Sequence, residues 1–251
     1  MQTAAIIQAR AGSTRLPGKV LADLAGAPML ARQIERVRRA RRVDEVIVAT
    51  SDLARDDAVV DAARAAGARW FRGSERDVLA RFAGAAREAR ADLVVRLTAD
   101  CPLVDPDVID RVVAAVADDP EGADYASTDL PRPTFPRGLD AEALFADVLF
   151  RADRLARSAP AREHVTYFVW AEEPALFRLR GVTAARDDSD LRLTVDTPSD
   201  LALVRALFEE LGLAERTLPY DRIVEHLRSR PALVSLNAHV VQRDPRAAEA
   251  P

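Results

Sequence analysis

The chain has one cysteine, Cys101, and one lysine, Lys19, in 251 residues. A single thiol excludes an intrachain disulfide framework and a cysteine-rich zinc site, and it suits a reducing compartment. Histidine is scarce too. His226 and His239 have no partner at metal-ligand spacing, which argues against zinc. No run approaches the roughly 18 apolar residues of a membrane span. The opening residues lack the basic flank and apolar run of a signal peptide. Arg32, Arg36, Arg38, Arg39, Arg41 and Arg42 form a basic cluster. With no interleaved aromatics and a net charge of −4, that cluster reads as a solvated helix face rather than a nucleic-acid surface. The expected setting is therefore cytoplasmic, without membrane or nucleic-acid partners.

The shortage of lysine is itself informative. Arginine supplies all but one of the 36 basic residues, as expected of a chain drifting toward GC-rich codons. Arginine replaces a surface lysine easily. A lysine that persists stands either by chance or where a compact ammonium is needed in place of a planar fork.

With hydrophobic residues at 49% and charged residues at 30%, the composition is that of a globular chain with a sizeable core. Short β-branched runs at Ala4–Ala9, Glu45–Thr50 and Leu93–Thr98 read as strands. Helical spacing at Met29–Ala40 and Asp56–Ala66 separates them, and a further helix runs from about Ser74 to Ala89, with Ser74 or Glu75 near its cap. The alternation predicts an α/β fold: a mostly parallel sheet flanked by helices, with ligands beyond the carboxyl ends of the strands. Prolines at 131, 133 and 136 mark Thr128–Gly138 as a loop. Leu139–Phe145, Leu176–Val182 and Leu191–Val195 read as further strands. Helices follow at about Pro160–His164, from Pro198 to Gly212 and at Tyr220–Arg228. The simplest account is one domain over residues 1–236, an inserted middle segment at about 124–185, and a poorly ordered tail at 237–251.

The densest chemistry follows the first strand, in Gln8-Ala9-Arg10-Ala11-Gly12-Ser13-Thr14-Arg15-Leu16-Pro17-Gly18-Lys19. Its glycines let the backbone approach a ligand, its hydroxyls donate, and Arg10, Arg15 and Lys19 supply positive charge for a polyphosphate. The spacing matches neither a Walker A loop nor the dinucleotide fingerprint. Asp100 and Asp196 each end a predicted strand near a proline, where carboxylates can share a hard cation with phosphate oxygens. Asp196 is also placed to cap the helix at Pro198, in competition with Thr197. Cys101 has no activating histidine beside it and reads as a small buried hydrophobe.

This loop resembles the signature of the spore coat polysaccharide biosynthesis protein F family. It is also similar to the loop of the 3-deoxy-manno-octulosonate cytidylyltransferases, which are related to the acylneuraminate enzymes. The resemblance recurs at Gly73-Ser74-x-x-Asp77, Thr98-Ala99-Asp100-Cys101-Pro102, Gly138-Leu139-Asp140-x-Glu142, Arg162-Glu163-His164-Val165-Thr166 and Thr194-Val195-Asp196-x-Pro198, and so covers the chain to about residue 210. It implies a glycosyltransferase-A-type nucleotidyltransferase fold, a homodimer, and transfer of CMP from CTP to a small acidic acceptor with release of pyrophosphate. Arg15 and Lys19 would be catalytic. Gln8, Ala9, Arg10, Gly12, Ser13, Ser74, Asp77, Thr98 and Ala99 would bind the nucleotide, and Asp100 and Asp196 would hold Mg2+. Asp140, Glu142, Arg162 and His164 would bind the acceptor or, alternatively, form a salt-bridged surface; Ser74 and Asp77 serve equally as helix caps. A proline often follows the threonine of the fifth motif in the family, whereas Tyr167 stands here. Glycosyl transfer is a rival, but it would favour an Asp-x-Asp motif that Asp100-Cys101-Pro102 does not supply. A noncatalytic nucleotide-binding module is the other rival.

Overall fold

The computed structural model describes residues 1–241, and the order of its elements bears out the strand–helix alternation. Strand β1 (Thr3–Gln8) leads through the basic loop to a short hairpin of β2 (Asp23–Leu24) and β3 (Ala27–Pro28). Then come α1 (Met29–Val37), β4 (Glu45–Ser51), α2 (Asp57–Ala65), β5 (Arg69–Gly73), α3 (Val78–Ala89), β6 (Leu93–Thr98) and α4 (Pro106–Ala117). The middle of the chain supplies β7 (Tyr125–Ser127), β8 (Glu142–Phe145), α5 (Ala146–Leu155), α6 (Ala159–Glu163) and β9 (Leu179–Gly181). Three helices finish it: α7 (Pro198–Leu211), α8 (Tyr220–Ser229) and α9 (Pro231–Val234).

Seven strands form one sheet in the order β5-β4-β1-β6-β8-β7-β9. The first four are mutually parallel, and β8 runs antiparallel to both β6 and β7. The central β1 is buried on both faces, which explains its unbroken run of Ala4, Ala5, Ile6 and Ile7. Ala5 and Ile7 join a core with Leu30 and Ile34 of α1 and Val108 and Val112 of α4. Ala4 and Ile6 face the opposite core, built on Leu79 and Phe82 of α3 and Leu149 of α5. The carboxyl ends of β1 and β6 therefore emerge from a rigid double-sided support.

The middle segment supplies three strands of the main sheet. Several expected elements need correction. Leu191–Val195 is no strand: only an isolated bridge joins Arg192 to Arg137. Its alternation reflects burial instead, because Leu191, Leu193 and Val195 pack with Leu203, Leu207 and Ile223 of α7 and α8. Period-two burial needs one apolar face, but a strand also needs a hydrogen-bonding neighbour along its length. Leu139–Phe145 yields a strand only from Glu142, and Leu176–Val182 only at Leu179–Gly181. The helix after Gly73 is capped by Asp77, whose carboxylate accepts from Ala80 N, and Ser74 lies ahead of it. Both β5 and α4 lie outside the sequence reading. For α4 the signal was present in Asp105-Pro106, since Asp105 caps the helix by accepting from Asp107 N and Val108 N.

Arg36 leaves the solvated face predicted for it. It is 4% exposed and donates to Val104 O and Leu218 O. Asn237, assigned to the tail, is buried and donates to Arg192 O and Asp200; positions 242–251 lie outside the described residues.

Gly138 fixes how the middle segment meets the chain ahead of α7. Its φ is +104°, and a Cβ there would stand 2.4 Å from Thr194 N and 2.7 Å from Leu193 C. That contact is with backbone, which cannot step aside. Gly138→Ala should therefore cost about 3 kcal/mol or more of unfolding free energy at an unchanged m-value, measured by urea titration.

Candidate active site

The basic loop is held by its own backbone. Ala11 O accepts from Gly18 N at 3.0 Å, and Ala11 N donates to the buried Asp56 at 2.7 Å. Gly18 takes the left-handed conformation, φ 70°, and turns the chain into a single helical turn that starts at Lys19. Val20, 2% exposed, anchors that turn in the core. Ser13 Oγ accepts from Leu16 N at 3.3 Å, so its hydroxyl shapes the loop. A Cβ on Gly12 would lie 3.4 Å from the guanidinium of Arg55.

The turn delivers Lys19 between the two predicted metal ligands. Its Nζ donates to Asp100 Oδ2 at 2.9 Å, to Asp196 Oδ1 at 2.8 Å and to the carbonyl of Val195 at 2.9 Å. An ammonium has three donors, and all three are used. Asp100 arrives from β6, whose ladder continues for one residue through Ala99 N to Gln8 O. Asp196 arrives from the segment buried under α7, and Val195 N donates to Asp100 O at 2.8 Å. Thr197, not Asp196, caps α7, in a capping box with Asp200. Asp196 is thereby free to face the loop.

Charge is concentrated here. Asp196 also accepts from Arg15 at 2.8 Å and from Arg192, which the sequence reading had not singled out, at 2.7 Å. Burial works against the Lys19 ammonium, yet Asp100 and Asp196 overcome it and hold its pKa above the ordinary value. Burial likewise opposes both carboxylates, and Lys19 outweighs it, so both lie below the usual range. Burial and the neighbouring Asp100 and Asp140 push the Cys101 thiol well up, which keeps it protonated and un-nucleophilic.

The other predicted residues divide into two groups. Gln8, Ala9, Thr98 and Ala99 line the adjoining ends of β1 and β6, and Gln8 Oε1 is buried without a partner. Arg10 is half-buried and has no carboxylate within ion-pair distance among the described residues. Ser74, Asp77 and Arg162 come together at the start of α3. There Ser74 Oγ accepts from Asp77 N, and Arg162 pairs with Asp77 at 2.6 Å and with Asp153 at 3.0 Å. A residue assigned to the nucleotide thus holds one assigned to the acceptor. His164 ends α6, its ring 6.4 Å from that of Tyr167.

Asp140 and Glu142 do not share a strand face, because Asp140 precedes β8. Glu142 is committed inside the protein: it pairs with Arg96 and accepts from Tyr125 OH at 3.0 Å and from the hydroxyl of Thr166. Asp140 sits by Arg137, which also faces Asp129. Burial first, then the charge of Asp129, raise the Asp140 carboxyl to about 7 against the pull of Arg137.

No group of three or more His, Cys, Asp or Glu among the described residues can hold a metal ion. The two aspartates nevertheless fit Mg2+, which binds through one or two carboxylates and completes its shell with phosphate and water. Asp100 fits better. Asp100 faces one cation, Lys19, with Cys101 Sγ 3.6 Å from its Oδ1, whereas Asp196 faces three cations.

Three comparisons place the chain among known proteins. Residues 4–226 match the family model described as cytidylyltransferase. The chain is 34% identical to an uncharacterized protein of Methanocaldococcus jannaschii, over 99% of this chain and 100% of that one. It is 36% identical to the spore coat polysaccharide biosynthesis protein SpsF of Bacillus subtilis, over 82% of this chain and 86% of that one. A solved structure of a cytidylyltransferase from Leptospira borgpetersenii superposes with a TM-score of 0.88 at 30% identity, covering 97% of this chain and all of that one.

The raised Asp140 carboxyl has a consequence for stability. An unfolded aspartate titrates near 3.9 and the folded one at about 7, so the folded state holds the proton more tightly. Its contribution is therefore complete below about pH 4 and is lost as pH rises through about 7. Asp140→Asn removes this titration. Thermal melts from pH 5 to 8 should show the variant gaining on the parent chain as pH rises.

Proposed function

The chain belongs to the cytidylyltransferase family, and on that premise we propose that it moves CMP from CTP to an acidic sugar or similar acceptor, releasing pyrophosphate, in surface polysaccharide biosynthesis. The observation that carries the reading is the Lys19 bridge between Asp100 and Asp196, at the end of a loop whose Arg15 also pairs with Asp196. The SpsF relative supports the polysaccharide setting, since its name assigns it to spore coat polysaccharide synthesis.

In this reading Arg10 attracts the triphosphate, and Arg15 leaves Asp196 to join it on the β- and γ-phosphates. Lys19 stays between the aspartates, where it keeps two like charges compatible and sets their spacing. Asp100, with the part of Asp196 that Arg15 releases, would hold Mg2+, which when bound would supply Lewis-acid stabilisation of the α-phosphate and acidify the acceptor hydroxyl. The acceptor hydroxyl, giving its proton to solvent, then attacks the α-phosphorus in line as the bond to the pyrophosphate oxygen breaks. The protein's contribution is positioning and charge stabilisation. Gln8, Ala9, Gly12, Ser13, Thr98 and Ala99 line the nucleotide side, with Ser74 and Asp77 at the rim. Asp140 and His164 remain acceptor-side residues, Arg162 positions that rim through Asp77, and Glu142 braces the strands through Arg96, Tyr125 and Thr166. No helix among the described residues is long and apolar enough to cross a membrane, and the reading takes the enzyme to be cytoplasmic. The family resemblance adds a homodimer.

CTP with magnesium should raise the melting temperature more than ATP, GTP or UTP does. At one hundred times its dissociation constant a ligand adds about 2.7 kcal/mol. Equal shifts from all four triphosphates would remove cytosine from the reading and leave the phosphate site.

Lys19→Arg should lower turnover at least about tenfold, or roughly 1.4 kcal/mol of transition-state stabilisation. A planar fork cannot supply the three divergent donors that Asp100, Asp196 and Val195 now receive. Steady-state pyrophosphate release beside calorimetric CTP binding reads the two effects separately, and affinity should change less than rate.

A further inference from the structure

One cation near the loop has no place in the reading above. Arg81 of α3 is 1% exposed, among the most deeply buried large side chains. Its Nη1 donates to the carbonyls of Ser74 and Glu75, while Nε and Nη2 are buried without partners. Among the described residues no carboxylate lies within ion-pair distance of it. The acidic groups near enough to be felt are Asp56, Asp52 and Asp77. Two of these are committed elsewhere: Asp56 accepts from Ala11 N and Ser51 Oγ, and Asp77 accepts from Ala80 N and pairs with Arg162. Asp52 is exposed, and water weakens its pull. The like charge it feels most is Arg10, which has no carboxylate partner among the described residues either. Burial and then Arg10 lower the Arg81 guanidinium to about 10, so it stays charged at neutral pH at a cost to the fold.

Proteins seldom keep an unpaired charge buried, and one that persists beside a ligand loop is balanced when the ligand arrives. We propose that Arg81 is a positioning residue of the nucleotide site, a buried second charge behind Arg10 that the triphosphate, rather than any carboxylate of the protein, neutralises. Arg10 makes the contact with phosphate. Arg81, shielded from water, adds an attraction that solvent does not screen. The inference rests on the proposed nucleotidyl transfer only in taking a polyphosphate as the ligand.

The test compares the parent chain with Arg81→Met and Arg81→Lys, using inorganic tripolyphosphate, CTP and cytidine as probes in calorimetry and thermal melts. Arg81→Met should melt no lower than the parent without ligand, because it removes an uncompensated buried charge at similar volume. It should bind tripolyphosphate about tenfold more weakly, and Arg81→Lys, which keeps the charge, should lose much less. Cytidine should bind all three proteins equally. The proposal is overturned if Arg81→Met melts well below the parent, if its tripolyphosphate affinity is unchanged, if Arg81→Lys loses as much as Arg81→Met, or if cytidine binding falls with it. A parent chain that binds tripolyphosphate without preferring CTP would sink the cytidylyl reading and leave this one standing.

Discussion

A single ammonium between two carboxylates organises this molecule. Asp100 comes from the end of β6 and Asp196 from the segment under α7, and Lys19 joins them from the loop after β1. Three stretches remote in sequence are thus tied at one atom. Without that cation, two aspartates and the Val195 carbonyl would face one another across a poorly hydrated gap, and leaving buried charges unpaired costs several kcal/mol. The same arrangement explains why a chain that uses arginine everywhere else keeps lysine here. Only a compact group with three divergent donors satisfies all three acceptors.

The surroundings are arranged so that positive charge can be redistributed. Asp196 faces Lys19, Arg15 and Arg192 at once. Arg15 is the most exposed of the three, 28% against about a tenth for the others, so it is the one that can leave for an arriving polyanion at least cost. Arg192 is held on its other side by Asp200, itself fixed by the capping box of α7. Rigidity on one side of Asp196 and freedom on the other follow directly from the helix cap.

Toward the middle of the sheet the chemistry is mixed. Glu142 is wholly engaged by Arg96, Tyr125 and Thr166, a buried network that joins β6, β7, β8 and the residues after α6. Asp140, two residues earlier, keeps a partly exposed carboxyl beside Arg137 and Asp129. The two acidic positions of one motif thus sit in different surroundings: Glu142 is engaged in a buried network, and Asp140 stays partly exposed beside Arg137.

Much of this was written locally in the chain. The apolar run of β1, the glycines and cations of the loop, the strand-ending Asp100 and the helix signals at Pro198 and Gly212 each depend on neighbours a few residues away, and each was legible. The position of Asp196 near the loop was legible only as a motif. What gathers it there is the packing of Leu191, Leu193 and Val195 under α7 and α8, in a segment whose alternation imitates a strand. The sequence named Lys19, Asp100 and Asp196 as separate candidates and sent the lysine to phosphate; the fold gave it the two aspartates. It also placed Asp77 and Arg162 on different substrates, although they bind each other, and it passed over Arg81 and Arg192 among so many arginines. Periodicity and capping are short-range effects that a sequence records directly. Which charge meets which is set by burial and by contacts across 81 to 177 residues of chain, and only the folded molecule decides it.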